Sequence, residues 1–154
     1  MQALLASADS VDVEVLTLKC VAAELGAYPY RKVESASVAK LDPAKLLLAV
    51  RDLKVVPVPP REAGSCFVAT STYSPFVGLS FDKNKKTRAY LALSYNSTDL
   101  SYLDNYRDKK DESYLIDRAT AQRFRQAIAQ NPKIIRALRL AAANPKYPGI
   151  KANS

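Results

Sequence analysis

Histidine and tryptophan are absent from this chain of 154 residues, and cysteine occurs only twice. Without imidazole there is no Ser-His-Asp or Cys-His relay and no His-ligated zinc. Two cysteines are too few for a zinc cluster. Cys20 and Cys66 lie in apolar contexts, Lys-Cys-Val and Ser-Cys-Phe. They read as buried small hydrophobes or, in an oxidising compartment, as a disulfide. Glycine occurs four times, at Gly26, Gly64, Gly78 and Gly149, never grouped, which leaves no phosphate-cradling loop. No apolar run approaches the roughly 20 residues of a spanning helix, so no membrane span is expected. No repeat at a fixed period suggests a solenoid.

Acid is what the C-terminal quarter lacks. All 15 acidic residues lie at or before Asp117, matched there by 15 of the 23 basic ones. The whole formal charge of +8 therefore falls on Arg118, Arg123, Arg125, Lys133, Arg136, Arg139, Lys146 and Lys151. This divides one domain into a neutral α/β body, residues 1–117, and a basic helical hairpin with its tail, residues 118–154. Such asymmetry points to an anionic partner met by one end of the molecule.

The residues present are those of an ordinary globular chain, 48% hydrophobic. Val11, Val13 and Val15 alternate with Asp12 and Glu14, as in a half-buried strand. From Leu16 to Val21 both faces turn apolar, so the element goes deeper or changes type. Asp42-Pro43 starts a helix, with Asp as N-cap and Pro at the first helical position. Leu46, Leu47, Val50 and Leu53 would be its inward face. Residues 55–60, Val-Val-Pro-Val-Pro-Pro, read as an extended, polyproline-like connector. Short strands are expected at Cys66–Thr70 and Phe76–Phe81. Asp82–Lys86 is a turn in which Asn can take positive φ. Arg88–Tyr95 returns with Ala89, Leu91, Leu93 and Tyr95 on one face. Leu100–Leu115 is another strand or an ordered loop.

A helix from Arg118 to Gln130, capped by Asp117 or Thr120, turns Ala121, Phe124, Ala127 and Ile128 inward. Asn131-Pro132 ends it and starts another, Pro132 to Ala143, with Ile134, Ile135, Leu138 and Ala141 inward. The expected fold is α+β: a single domain with a mostly antiparallel sheet, a helix in the N-terminal half and a C-terminal two-helix hairpin.

The basic hairpin is the candidate site. Arg118, Gln122, Arg125 and Gln126 fall in one solvent arc of the first helix, with Arg123 at its edge. Lys133, Arg136 and Arg139 form an i, i+3, i+6 row on the second. Neither helix contains a carboxylate, so these cations have no i, i+4 partner and repel one another slightly. They suit a nucleic-acid phosphate backbone, or a nucleic-acid-containing assembly, held by counterion release. They equally suit an acidic protein surface, with the chain as a structural or inhibitory subunit. They could instead be covered by the upstream acids Asp99, Asp104, Asp108, Asp111, Glu112 and Asp117. Tyr102, Tyr106 and Tyr114 form a weaker candidate for partner binding, because tyrosine suits interfaces. An oligomer or larger complex fits the same picture.

An enzyme is the third reading. Asp108-Lys109-Lys110 and Asp52-Leu53-Lys54 each hold an acid-x-Lys unit of the kind used by metal-dependent nucleases. The sequence offers no catalytic residue beyond this pattern, no metal ligand set and no cofactor site. The spacing of Asp99, Asp104 and Asp108 lacks the calcium-loop glycine. The expected location is the cytoplasm or a macromolecular particle. It becomes periplasmic or secreted if Ala6-Ser7-Ala8 is the remnant of a truncated signal peptide.

Overall fold

The computed structural model describes residues 1–20, 30–57, 74–95, 101–106 and 112–142. The elements in chain order are α1 (Gln2–Ala6), β1 (Ser10–Cys20), β2 (Tyr30–Leu41), a 3-10 turn (Pro43–Leu46), α2 (Leu47–Arg51) and β3 (Val55–Pro57). They continue with β4 (Ser74–Lys83), β5 (Lys86–Ser94), β6 (Ser101–Asn105), β7 (Glu112–Ile116), α3 (Arg118–Ile128) and α4 (Pro132–Ala142). The strands form one seven-stranded sheet in the order β2-β1-β4-β5-β6-β7-β3. Every pairing is antiparallel. The architecture is the α+β fold expected.

Because side chains alternate across a strand, the register sorts the sheet into two faces. Val13 lies opposite Leu79, which lies opposite Leu91, which lies opposite Leu103. This row and its neighbours Val11, Val15, Val77, Phe81, Ala89 and Leu93 are buried in one core with residues of all four helices. From the helical layer come Leu5, Leu46, Val50, Phe124, Ile128, Ile134 and Leu138. Each fully buried large side chain contributes about 1.5–3 kcal/mol of hydrophobic stabilisation. The helices therefore cover one face of the sheet. Among the described residues, no helix is long and apolar enough to cross a membrane.

The opposite face carries a smaller cluster of Leu16, Phe76 and Ala92, with Tyr90 and Tyr102 partly buried against it. Here Gly78 has a specific task. A Cβ at Gly78 would overlap the Tyr90 phenol. The missing side chain lets the ring lie across β4 and donate its hydroxyl to Glu14 Oε1 at 2.8 Å. Aromatic cover of a strand glycine fills space that would otherwise be a void. Burial first, and the Glu14 carboxylate second, push the Tyr90 phenol well above its usual range.

Four local expectations need correction. β2 is a full strand that the alternation of residues 30–41 did not reveal. Its Ser35, Ala36 and Ser37 are all exposed, so neither face carries an apolar period there. Leu47 points to solvent at 46% exposure, and Ala49 takes its place in the core. The buried stripe is Leu46, Ala49, Val50 and Leu53, an i, i+3, i+4, i+7 set, and Leu47 sits about 100° from Leu46 around the axis. Val55-Val56-Pro57 is not a free connector but the sheet's edge strand, paired with Tyr114, Leu115 and Ile116 of β7. Proline is tolerated at such an edge, where its missing donor leaves no ladder bond unmade. The 100–115 stretch contains two strands, β6 and β7, where one strand or a loop was expected.

Other expectations hold. Asp42 accepts the Ala44 N–H at 2.9 Å and so caps the 3-10 turn. Asp117 caps α3 by accepting the Thr120 N–H at 2.6 Å. Asn131 accepts the Lys133 N–H at 3.0 Å at the start of α4. Residues 1–8 form α1 and its exit. Leu5 is buried and the Gln2 amide donates to the Arg51 and Leu53 carbonyls at 2.8 and 3.2 Å. The expected strand at 66–70, the remainder of the 55–60 connector, Cys66, Asp99, Asp108, Asp111 and the 143–154 tail lie outside the described residues.

Candidate functional site

The six cations proposed for partner binding separate into two groups. α3 packs over β5 and the segment formed by the 3-10 turn and α2, whereas α4 packs over β1, β2 and β4. The buried stripe of α3 is Thr120, Ala121, Phe124 and Ile128. At 100° per residue, Arg123 and Arg125 flank this stripe, each about 100° from its centre. From that margin a long side chain can lay its stem along the apolar surface and bring its head down to the body. Both arginines do so.

Arg123 Nη2 donates to the Asp52 carbonyl at 2.7 Å and to Thr120 Oγ1 at 3.0 Å. The Asp52 carbonyl belongs to the end of α2, where orphan carbonyls and the negative pole of the helix favour a cation. Thr120 Oγ1 also accepts the Lys54 N–H at 3.3 Å, which ties α3 to the chain entering β3. The Nε of Arg123 is buried and has no hydrogen-bond acceptor among the described residues.

Arg125 holds the far end of β5. Its Nε and Nη2 both donate to the Ser94 carbonyl, at 3.0 and 2.7 Å, and Nη1 donates to Gln122 Oε1 at 3.2 Å. The guanidinium carbon lies 5.6 Å from the centroid of the Tyr95 ring, within cation–π range. Burial lowers the pKa of Arg125 from its usual value. Burial also pushes the Tyr95 phenol up to about 12, against the pull of the Arg125 charge. The solvent arc expected for Arg125 is therefore occupied by Arg118, Gln122 and Gln126, which are exposed, while Arg125 itself is half-buried.

α4 differs. Its inward residues are Ile134 and Leu138, with Ile135 and Ala141 half-buried. Arg136 lies opposite that stripe, and Lys133 and Arg139 are each about 120° from its centre. All three are exposed. Among the described residues, no carboxylate forms an ion pair with any of them or with Arg118; the pairs present are Lys40–Asp12 and Arg51–Asp52. Of the upstream acids weighed as internal cover, Asp104 is buried on β6 and Asp117 is engaged in capping α3. Leu140 is 65% exposed beside Arg136 and Arg139, four and one positions away on the same helix.

The tyrosines do not form one patch. Tyr102 faces the smaller cluster, its ring 6.4 Å from that of Phe76 at 55°. Tyr114 packs against the main core on the other side of the sheet. Tyr106 follows the end of β6 and is 43% exposed. The Asp52-Leu53-Lys54 unit lies at the exit of α2, not at the end of a central strand, and Asp52 Oδ1 bonds Arg51 Nε at 3.2 Å. Among the described residues there is no group of three or more potential metal-ligating side chains. Comparison with protein-family models, with curated proteins and with solved structures finds no match for this chain.

Proposed function

We propose that the chain is a non-enzymatic binding protein that contacts a nucleic-acid phosphate backbone through α4. One observation carries the reading: Lys133, Arg136 and Arg139 stand exposed along one helix, unpaired among the described residues. At 1.5 Å rise per residue the row spans about 9 Å. Arg118, Gln122 and Gln126, exposed on α3, offer a further charge and amide donors. Phosphate contacts of this kind position a protein without reading sequence.

The test is fluorescence anisotropy with a mixed-sequence duplex between 50 and 200 mM salt. Three phosphate contacts give a slope of about −2.7 in log K against log salt, roughly a 40-fold loss over that range. The Arg136→Glu/Arg139→Glu variant should weaken binding to all sequences alike. Absence of binding at 50 mM salt removes the proposal.

Leu140 favours a second reading, an acidic protein partner or assembly surface with an apolar anchor among cations. A partner captured at moderate salt and lost in Leu140→Ser would support it.

A further inference from the structure

The net neutrality of residues 1–117 conceals a local concentration of charge at the β4–β5 turn. Lys83, Lys85, Lys86 and Arg88 fall within six residues. Two carboxylates lie beside them, and both are engaged otherwise. Asp9 Oδ2 accepts the Asn84 N–H at 2.8 Å, and Asp82 Oδ1 accepts the Thr87 hydroxyl at 2.8 Å. The Asp9 N–H in turn donates to the Asp82 carbonyl at 2.8 Å. These bonds hold the turn against the start of β1. Among the described residues, none of the four cations has an ion-pair partner.

The turn places its lysines where the fold gains nothing from them. Asn84 and Lys85 both have positive φ, 52° and 60°, as the central residues of a tight two-residue hairpin require. Asparagine tolerates that conformation, but the second position favours glycine, and a lysine there is strained. Lys83 and Lys86 face each other directly in the register, and like charges opposite one another weaken a strand pair. Arg88 is the extra residue of a bulge between Phe81–Ala89 and Asp82–Thr87. Local departures that cost stability concentrate where another demand holds them in place.

We propose that this turn is a second phosphate-binding element, a cationic hairpin tip that contacts the backbone of a nucleic acid. The inference rests on the same partner class as the α4 reading and adds a surface to it. Exposed Lys85 and Lys86 lead the tip, and Lys83 and Arg88 flank it.

Lys85→Gly separates binding from folding, because it deletes a charge while relieving the strained backbone. Duplex binding is measured for the wild-type chain, for Lys85→Gly, for Lys83→Gln/Lys86→Gln and for Arg136→Gln/Arg139→Gln. The expected result is a melting temperature of Lys85→Gly that rises by about 2–4 °C while affinity falls. The salt slope should become shallower by roughly 0.9 for each contacting lysine removed. If both turn variants bind with wild-type affinity and slope while the α4 variant weakens, the turn is not a contact and the α4 reading stands. If the turn variants weaken and the α4 variant does not, the hairpin tip is the contact and the α4 reading falls. A wild-type chain that leaves the duplex unbound at 50 mM salt overturns both.

Discussion

In α3 the Arg125 guanidinium closes on the Ser94 carbonyl through two bonds, whereas in the next helix Arg136 projects from the side opposite the core with no carboxylate paired to it among the described residues. The residue type is the same and both helices lack acids. What differs is angular position together with what lies beneath the helix at that point. Arginines about 100° from the buried stripe can reach carbonyls beneath the helix, and one about 180° away cannot. Counting cations on a helix therefore overstates the charge offered to a partner, because part of it is already holding the helix down.

The sharpest way to break this contrast is Arg125→Ala. It removes charge-assisted bonds to a carbonyl and the cation over Tyr95, and should lower stability by about 1.5–3 kcal/mol in urea unfolding. Arg125→Lys should recover little of this, since one ammonium cannot reproduce the paired donors. A loss below 0.5 kcal/mol would show that the contact does not anchor α3.

Next in size is the cap that sets where α3 begins. Asp117→Ala should cost about 1 kcal/mol. The Thr120 hydrogen bonds hold the Asp117 carboxyl below its usual value of 3.8. The Arg51 hydrogen bond does the same for Asp52, whose usual value is also 3.8. A depressed folded pKa stabilises above the unfolded value and loses that contribution as pH falls through the folded one. Stability measured by thermal melting should thus show no loss from these two groups between pH 7 and 5. Their contribution should decline below about pH 4, and Asp117→Ala should flatten that decline.

The smallest effect is the most telling. Arg136→Gln and Arg139→Gln should change stability by no more than about 0.5 kcal/mol, and upward if at all, because like charges three apart are relieved. If either loss rivals that of Arg125→Ala, the α4 row serves the fold and the contrast collapses.

Much of this was legible in the residues. Alternation around a polar turn specifies the β4–β5 hairpin, and apolar spacing bounded by Asp117 and Asn131-Pro132 specifies α3 and α4. These signals are local, so the sequence carries them directly. β2 leaves no such mark, because an edge strand with Ser35, Ala36 and Ser37 exposed buries too little to impose a period of two. β3 leaves none either, because its three residues become a strand only when β7 lies beside them. The split among the cations was half visible: helical angles place Arg123 and Arg125 at the margin of the apolar stripe. That the Ser94 and Asp52 carbonyls wait beneath them depends on how β5 and α2 are placed by the whole core. The frustration at Lys83, Lys85 and Lys86 needed both the register and the backbone angles.

The glycine gap on the small-cluster face has an optical consequence. The chain contains no tryptophan, so its near-ultraviolet signal comes mainly from nine tyrosines. The Tyr90 phenol, roofed over Gly78 and donating to Glu14, is held above the usual tyrosine range by burial first and by that carboxylate second. Its phenolate absorbance should therefore appear late in an alkaline titration, and loss of the cover over Gly78 should bring it earlier.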